Sequence, residues 1–263
     1  MRFPCRATVL VVLLLSVAAC QTAPITGRSQ LIILPEPQEV QMGVQAYQEI
    51  LKKSKISRDP QQNELVTRVG SRIAQATGRT DYKWEFTVIQ DDKQVNAFAL
   101  PGGKVAVYTG ILPVTKDEAG LATVMGHEVA HAIARHGGER VSQGLLVQGG
   151  LIAAQVAMAN RDPQTVQLVT GLLGAGAAVG VVLPFSRAQE SEADRLGLIY
   201  MAKAGYDPRA AIGFWQRMEQ AAQRRGNPPE FLSTHPSHGT RVRQIEQWIP
   251  EAMQHYQPSR SGS

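Results

Sequence analysis

Residues 126–131, Gly126-His127-Glu128-Val129-Ala130-His131, constrain this chain more than any other stretch, because they put two imidazoles and a carboxylate into an apolar run. Leu121, Val124, Val129 and Ile133 recur at helical spacing around them, which predicts a buried helix. Residues four apart on a helix lie about 40° apart on one face, so His127 and His131 can reach a single Zn²⁺. Unpaired histidine and glutamate in such a helix would be costly, and a metal ion removes the cost. Glu128 then lies beside the open position of the metal, where it can take a proton from water.

A hydrolytic zinc needs a third protein ligand and one open site. The extended pattern H-E-x-x-H-x-x-G-x-x-H is excluded, since the chain has Ala134 and Gly137 where glycine and histidine are required. His136 follows His131 by five residues and is rotated about 140° from it on a continuous helix, so it cannot converge on the same ion. It reads as a helix C-terminal histidine before the break at Gly137-Gly138. A later acidic cluster, Glu190-Ser191-Glu192-Ala193-Asp194, supplies carboxylates four apart. Of Glu190 and Asp194, one can bind metal while the other accepts a hydrogen bond from a ligand histidine. Glu192 points elsewhere and is expected in solvent.

The rest of the chain reads as one α+β catalytic domain, predominantly helical, over residues 36–250. Val40, Val44, Tyr47 and Leu51 predict a first amphipathic helix, and Leu65, Val69 and Ile73 a second. Trp84, Phe86 and Val88 alternate with polar neighbours, and Val105 and Val107 follow Pro101-Gly102-Gly103, so a small sheet with a turn is expected. The stretch 144–183 is apolar, glycine-rich and broken at Asp162-Pro163. Each arm is short for the ~20 residues a bilayer requires, and it reads as a helical hairpin or lid that packs on the domain or touches lipid. Residues 251–263 read as a polar tail.

At the N-terminus, Arg2 and Arg6 precede the apolar run Ala7 to Leu15 and small residues ending at Cys20, the pattern of a secretory signal over residues 1–19. Val17-Ala18-Ala19-Cys20 resembles a bacterial lipobox, which makes Cys20 the lipidated N-terminus and residues 20–35 a tether to a membrane. By resemblance to lipoprotein sorting in Gram-negative envelopes, Gln21 after the cysteine implies the periplasmic face of an outer membrane. Cys5 leaves with the signal, so no disulfide is expected. Losing Arg2 and Arg6 lowers the formal charge from +5 to +3, too weak a field to suggest nucleic acid as a partner.

Ser186-Arg187-Ala188-Gln189 followed by Glu190 to Gly197, taken with residues 127–131, resembles the gluzincin family of zinc metallopeptidases that includes the CAAX prenyl protease, HtpX, Oma and BepA. Asn96-Ala97-Phe98, Pro101-Gly102-Gly103, Tyr108-Thr109-Gly110, His235-Pro236 and Arg241 extend the resemblance in the same order, and the lipobox brings it nearest the periplasmic lipoproteins LoiP and YcaL. The resemblance implies a zincin-like fold, one Zn²⁺ held by His127, His131 and Glu190, Asp194 behind a ligand, and Glu128 as general base. It also implies His235 and Arg241 as catalytic groups at the oxyanion. Pro101, Gly102, Gly103, Val105 and Val107 would belong to an edge strand that binds an extended peptide through its backbone. The implied activity is endopeptidase, with unfolded or misassembled envelope proteins as substrates and an association with outer-membrane assembly machinery. A membrane-tethered assembly factor and a zinc hydrolase of cell-wall peptides are the alternatives.

Overall fold

The computed structural model describes residues 20–157, 185–225, 229–236 and 239–258. The signal segment 1–19 and the second arm of the apolar stretch lie outside the described residues. The chain divides into two compact units, residues 37–136 with 184–263, and residues 1–36 with 137–183.

The larger unit opens with α1 (Glu36–Lys53) and α2 (Pro60–Thr77), the two helices expected from apolar spacing. Asp59 caps α2 by accepting from the amides of Gln61 and Gln62, Pro60 starts it without wasting a donor, and Gly78 closes it at φ 73°. A three-stranded sheet follows, of β3 (Glu85–Ile89), β4 (Ala97–Leu100) and β5 (Lys104–Tyr108), in the order β3-β5-β4. β5 pairs parallel with β3 and antiparallel with β4. Its residues Lys104 to Val107 are buried, so β5 is the central strand and no peptide can add to it. The expectation that Val105 and Val107 lie on an edge strand is therefore corrected. The edges of the sheet are β3, bridged at its end by Ile56 to Ile89, and β4, and Pro101, Gly102 and Gly103 form the turn that feeds the centre. Gly102 and Gly103 hold φ of 85° and 81°, which is why glycine stands there.

After α3 (Leu112–Thr115) the chain enters α4 (Glu118–Ile133), capped by Asp117 and buried from Gly120 to Ile133. α4 carries residues 127–131 through the middle of the core. The helix ends earlier than the glycines suggested: Arg135 turns back at φ 55°, held by its ion pair with Glu39, and His136 opens the next helix, α5 (His136–Ala157). Beyond the undescribed segment come α6 (Arg187–Lys203), α7 (Ala210–Arg225), the single turn α8 (Glu230–Thr234) and α9 (Arg241–Met253). α9 carries Ala252 into the core and Tyr256 packs against it, so the folded region runs past residue 250 into the stretch expected to be a polar tail.

α4 and α6 form the axis of this unit. They cross at Gly126 and Gly197, where a Cβ on Gly197 would lie 2.9 Å from Gly126 C and His127 N. Only glycine allows this approach, and it brings the histidines of one helix against the carboxylates of the other.

In the smaller unit, β1 (Cys20–Thr22) and β2 (Ser29–Leu31) make an antiparallel hairpin rather than the open tether expected for residues 20–35. Arg28 pairs with Glu139 of α5 at 2.8 Å, and Ser142 Oγ accepts from the Ile33 amide at 2.9 Å. Among the described residues no helix is long and apolar enough to cross a membrane.

Candidate metal centre

His127 and His131 face the same side of α4, with their Nε2 atoms 3.1 Å apart. α6 brings Glu190, in its first turn, to the same point: Oε2 lies 3.5 Å from His127 Nε2 and Oε1 lies 3.3 Å from His131 Nε2. The Ser186–Gln189 capping box fixes where that turn begins, and a carboxylate suits the positive end of a helix. α8 ends at His235, whose φ of −122° and ψ of 77° lie outside the helical region that Pro236 disfavours for it. Its Nδ1 sits 2.9 Å from Glu190 Oε1 and 3.3 Å from His127 Nε2. One donor atom from each of these four residues falls within 4.8 Å of every other, and all four are buried.

The centre is backed by charge. Asp194 Oδ1 accepts from His127 Nδ1 at 2.8 Å, which leaves a lone pair on the Nε2 that faces the cluster. Arg241 lies beneath, donating from Nε to Asp194 Oδ2 (2.7 Å) and from Nη2 to Asp194 Oδ1 (2.9 Å) and Glu190 Oε2 (2.8 Å). Its guanidinium stacks on Trp215, with Cζ 3.5 Å from the ring centre. These contacts occupy the fork, so the structure places Arg241 behind two carboxylates rather than beside an oxyanion. Phe185 closes another side, its ring centre 4.0 Å from that of His131 and 5.2 Å from that of His235.

Burial would raise the Glu190 carboxyl, but His127, His131 and His235 outweigh it and hold the group well below the usual carboxylate range. Burial holds His131 well below the usual imidazole range. It also pushes His235 down, yet Glu128 and Glu190 more than offset it. Glu128 is pushed up by burial, against the pull of His235 and His127.

Among the described residues, Glu128 Oε1 is the one buried side-chain oxygen or nitrogen without a hydrogen-bond partner. His235 Nε2 comes within 3.3 Å of it but without hydrogen-bond geometry. A buried acceptor left open costs about 1–3 kcal/mol, so this carboxylate is set for a partner the folded chain does not supply. The donor set, imidazole nitrogens with one carboxylate oxygen converging beside that oxygen, fits a divalent metal ion and its water.

Two residues that the sequence places at a helix end and in solvent are buried at the site. His136 and Glu192 are 0% and 4% exposed, with His136 Nε2 2.9 Å from Glu192 Oε2 and His136 Nδ1 2.9 Å from His131 Nδ1. Glu192 is thus not a solvated surface group. The signal available was the acidic cluster itself, in a helix whose sequence leaves no wholly polar face.

The sequence model of peptidase family M48 matches residues 60–249. The mitochondrial metalloendopeptidase OMA1 of Schizosaccharomyces pombe is 40% identical over 232 residues, covering 87% of this chain and 66% of that protein. The human mitochondrial metalloendopeptidase OMA1 is 33% identical over 244 residues, 89% of this chain and 46% of its own length. The beta-barrel assembly-enhancing protease of Escherichia coli is 31% identical over 224 residues, 83% of this chain and 45% of its own. The chain thus spans about half to two thirds of the length of these relatives.

Proposed function

The chain belongs to peptidase family M48, and on that premise we propose that it is a zinc-dependent endopeptidase of a bacterial cell envelope, clearing damaged or misassembled proteins. The observation that carries the proposal is the unpartnered Glu128 oxygen beside the convergent donors of His127, His131 and Glu190. A scaffold has no use for such a carboxylate. His127, His131 and Glu190 would hold a zinc ion, which would supply a Lewis acid and lower the pKa of water towards neutrality.

Glu128, with Oε1 open, would take a proton from water and hand it to the leaving amine. Asp194 keeps the proton of His127 on Nδ1, and Arg241 offsets the charge of Asp194 and Glu190, so it acts as a positioning residue. His235, within reach of both Glu128 and Glu190, donates to the oxyanion of the substrate. An extended peptide lies along β4, the edge strand whose Ala99 backbone already reaches Glu128. Such backbone recognition implies loose sequence preference.

The sequence of residues 1–20 supports export and lipidation at Cys20, with Gln21 pointing to the outer membrane. The similarity to a beta-barrel assembly-enhancing protease favours substrates and partners in outer-membrane assembly. The test is casein cleavage by purified protein, lost on chelation and restored by zinc. Zinc uptake with casein left intact would instead favour an assembly factor or a hydrolase of cell-wall peptides.

A further inference from the structure

His127 has its carboxylate, Asp194, directly behind it, whereas His131 has a second imidazole, His136, at 2.9 Å from its Nδ1. Two imidazole nitrogens at that distance share one proton, so one donates and the other accepts. The direction is decided at the far side of His136, where Nε2 meets Glu192 Oε2 at 2.9 Å. For a neutral His136 facing an ionised Glu192 the carboxylate only accepts, so His136 carries its proton on Nε2 and its Nδ1 is left as an acceptor. His131 must then donate from Nδ1, and its Nε2 turns a bare lone pair towards Glu190 and His127.

We propose that His136 and Glu192 are positioning residues that select the metal-binding tautomer of His131, as Asp194 does for His127. The inference rests on the reading of His131 as a zinc ligand and adds a relay to it. The fold is arranged to make the relay. α4 stops at Ile133, Arg135 reverses the chain at φ 55° under the grip of Glu39, and the His136 ring is set edge-on to that of His131, with centres 4.9 Å apart and planes at 76°. α6 supplies both carboxylates, Glu192 and Asp194, two residues apart. On a helix with one wet face those positions could not both serve buried partners, but α6 is buried from Gln189 to Ala202 except at Ser191 and Arg195.

With both tautomers fixed, the Nε2 lone pairs of His127 and His131 face each other at 3.1 Å, an arrangement that repels unless a cation lies close to both. Outer-shell partners of this kind are typically worth ~10–100-fold in metal affinity. The relay predicts which substitutions are tolerated. Asparagine at 136 can present its Oδ1 where His136 has Nδ1 and still accept from His131, whereas leucine cannot. Glutamine at 192 can still accept from His136, whereas methionine cannot.

The test measures zinc affinity by competition with a chromophoric chelator, and the His131 tautomer by long-range ¹H–¹⁵N correlation in the metal-free protein. H136L and E192M should bind zinc ~10–100-fold more weakly, with the His131 proton moving to Nε2. H136N and E192Q should bind within a few-fold of the wild-type protein and keep the proton on Nδ1. Equal losses in H136N and H136L, or wild-type affinity in H136L with E192M, would overturn the relay. If H136L does not fold, E192M against E192Q decides by the same criteria. A wild-type protein that takes up no zinc would sink the metal-site reading itself, an outcome distinct from both.

Discussion

Replacing Gly197 by alanine tests whether the helix crossing holds the metal centre together. The added Cβ would meet Gly126 C and His127 N at 2.9 Å and His127 Cα at 3.1 Å, all backbone atoms that cannot swing aside. Ordinary contact begins at 3.4 Å, so α4 and α6 must part by about half an ångström in a core that tolerates little overpacking. Overpacking of this kind costs about 1–3 kcal/mol, and the better helix propensity of alanine returns up to about 1 kcal/mol. The net loss of about 1–2 kcal/mol should lower the Tm of the metal-free protein by about 2–8 °C. The same displacement pulls His127 from Asp194 and Glu190, so zinc affinity should fall as well. Gly137→Ala is the control, since a Cβ there meets nothing within 4 Å and the first turn of α5 gains a better helix former. Thermal unfolding in chelator, followed by zinc titration, reads both effects. A Gly197→Ala protein with wild-type Tm and wild-type zinc affinity would refute the crossing as the organising contact.

Other substitutions separate the remaining roles. Glu128→Gln should keep about one zinc per chain while losing cleavage by ~10²–10⁴-fold, and Glu190→Ala should lose the metal; casein hydrolysis beside metal analysis reads the difference. His235→Ala should lower kcat by ~10²-fold or more with zinc retained, and unchanged turnover would remove it from the chemistry. Arg241→Leu leaves Glu190 and Asp194 without their cation and should cost the metal-free protein about 3–5 kcal/mol in urea unfolding; Arg241→Lys should recover only part, since an ammonium cannot fork between two carboxylates. Cys20→Ser should abolish lipidation and move the protein to the aqueous phase in a detergent partition, where equal partitioning would argue against the anchor.

Local spacing carried much of the fold because it depends on one helix or strand at a time. The four-residue step from His127 to His131 fixes a shared face whatever surrounds it, and Leu65, Val69 and Ile73 mark one face of α2 without reference to the rest of the chain. Strand order is not of that kind. Val105 and Val107 belong to a buried strand whether they lie at the edge or the centre, and only the pairing of β3 and β4 on either side decides which. The short run Ala97–Leu100 has no alternation to announce a strand, so the β4 edge was silent in sequence.

Glu192, His136 and Arg241, unlike Asp194, were hidden from the sequence for a related reason. Placing Glu192 in solvent assumed that α6 has one face in the core and one in water, so that a residue two positions from Glu190 must lie outside. α6 is buried nearly all round, and on such a helix angular position says which partner a side chain meets, not whether it is wet. Likewise the angle that kept His136 off the metal was sound for a continuous helix, but Arg135 breaks the helix at a residue with no glycine signature. That break needs the Glu39 carboxylate, 96 residues earlier in the chain, to hold it. Arg241 completes the pattern: nothing in its neighbours distinguishes a cation beside an oxyanion from one beneath two carboxylates. Packing against Trp215 and Asp194 makes that choice, so the outer half of a buried polar site becomes legible only once the helices that enclose it are in place.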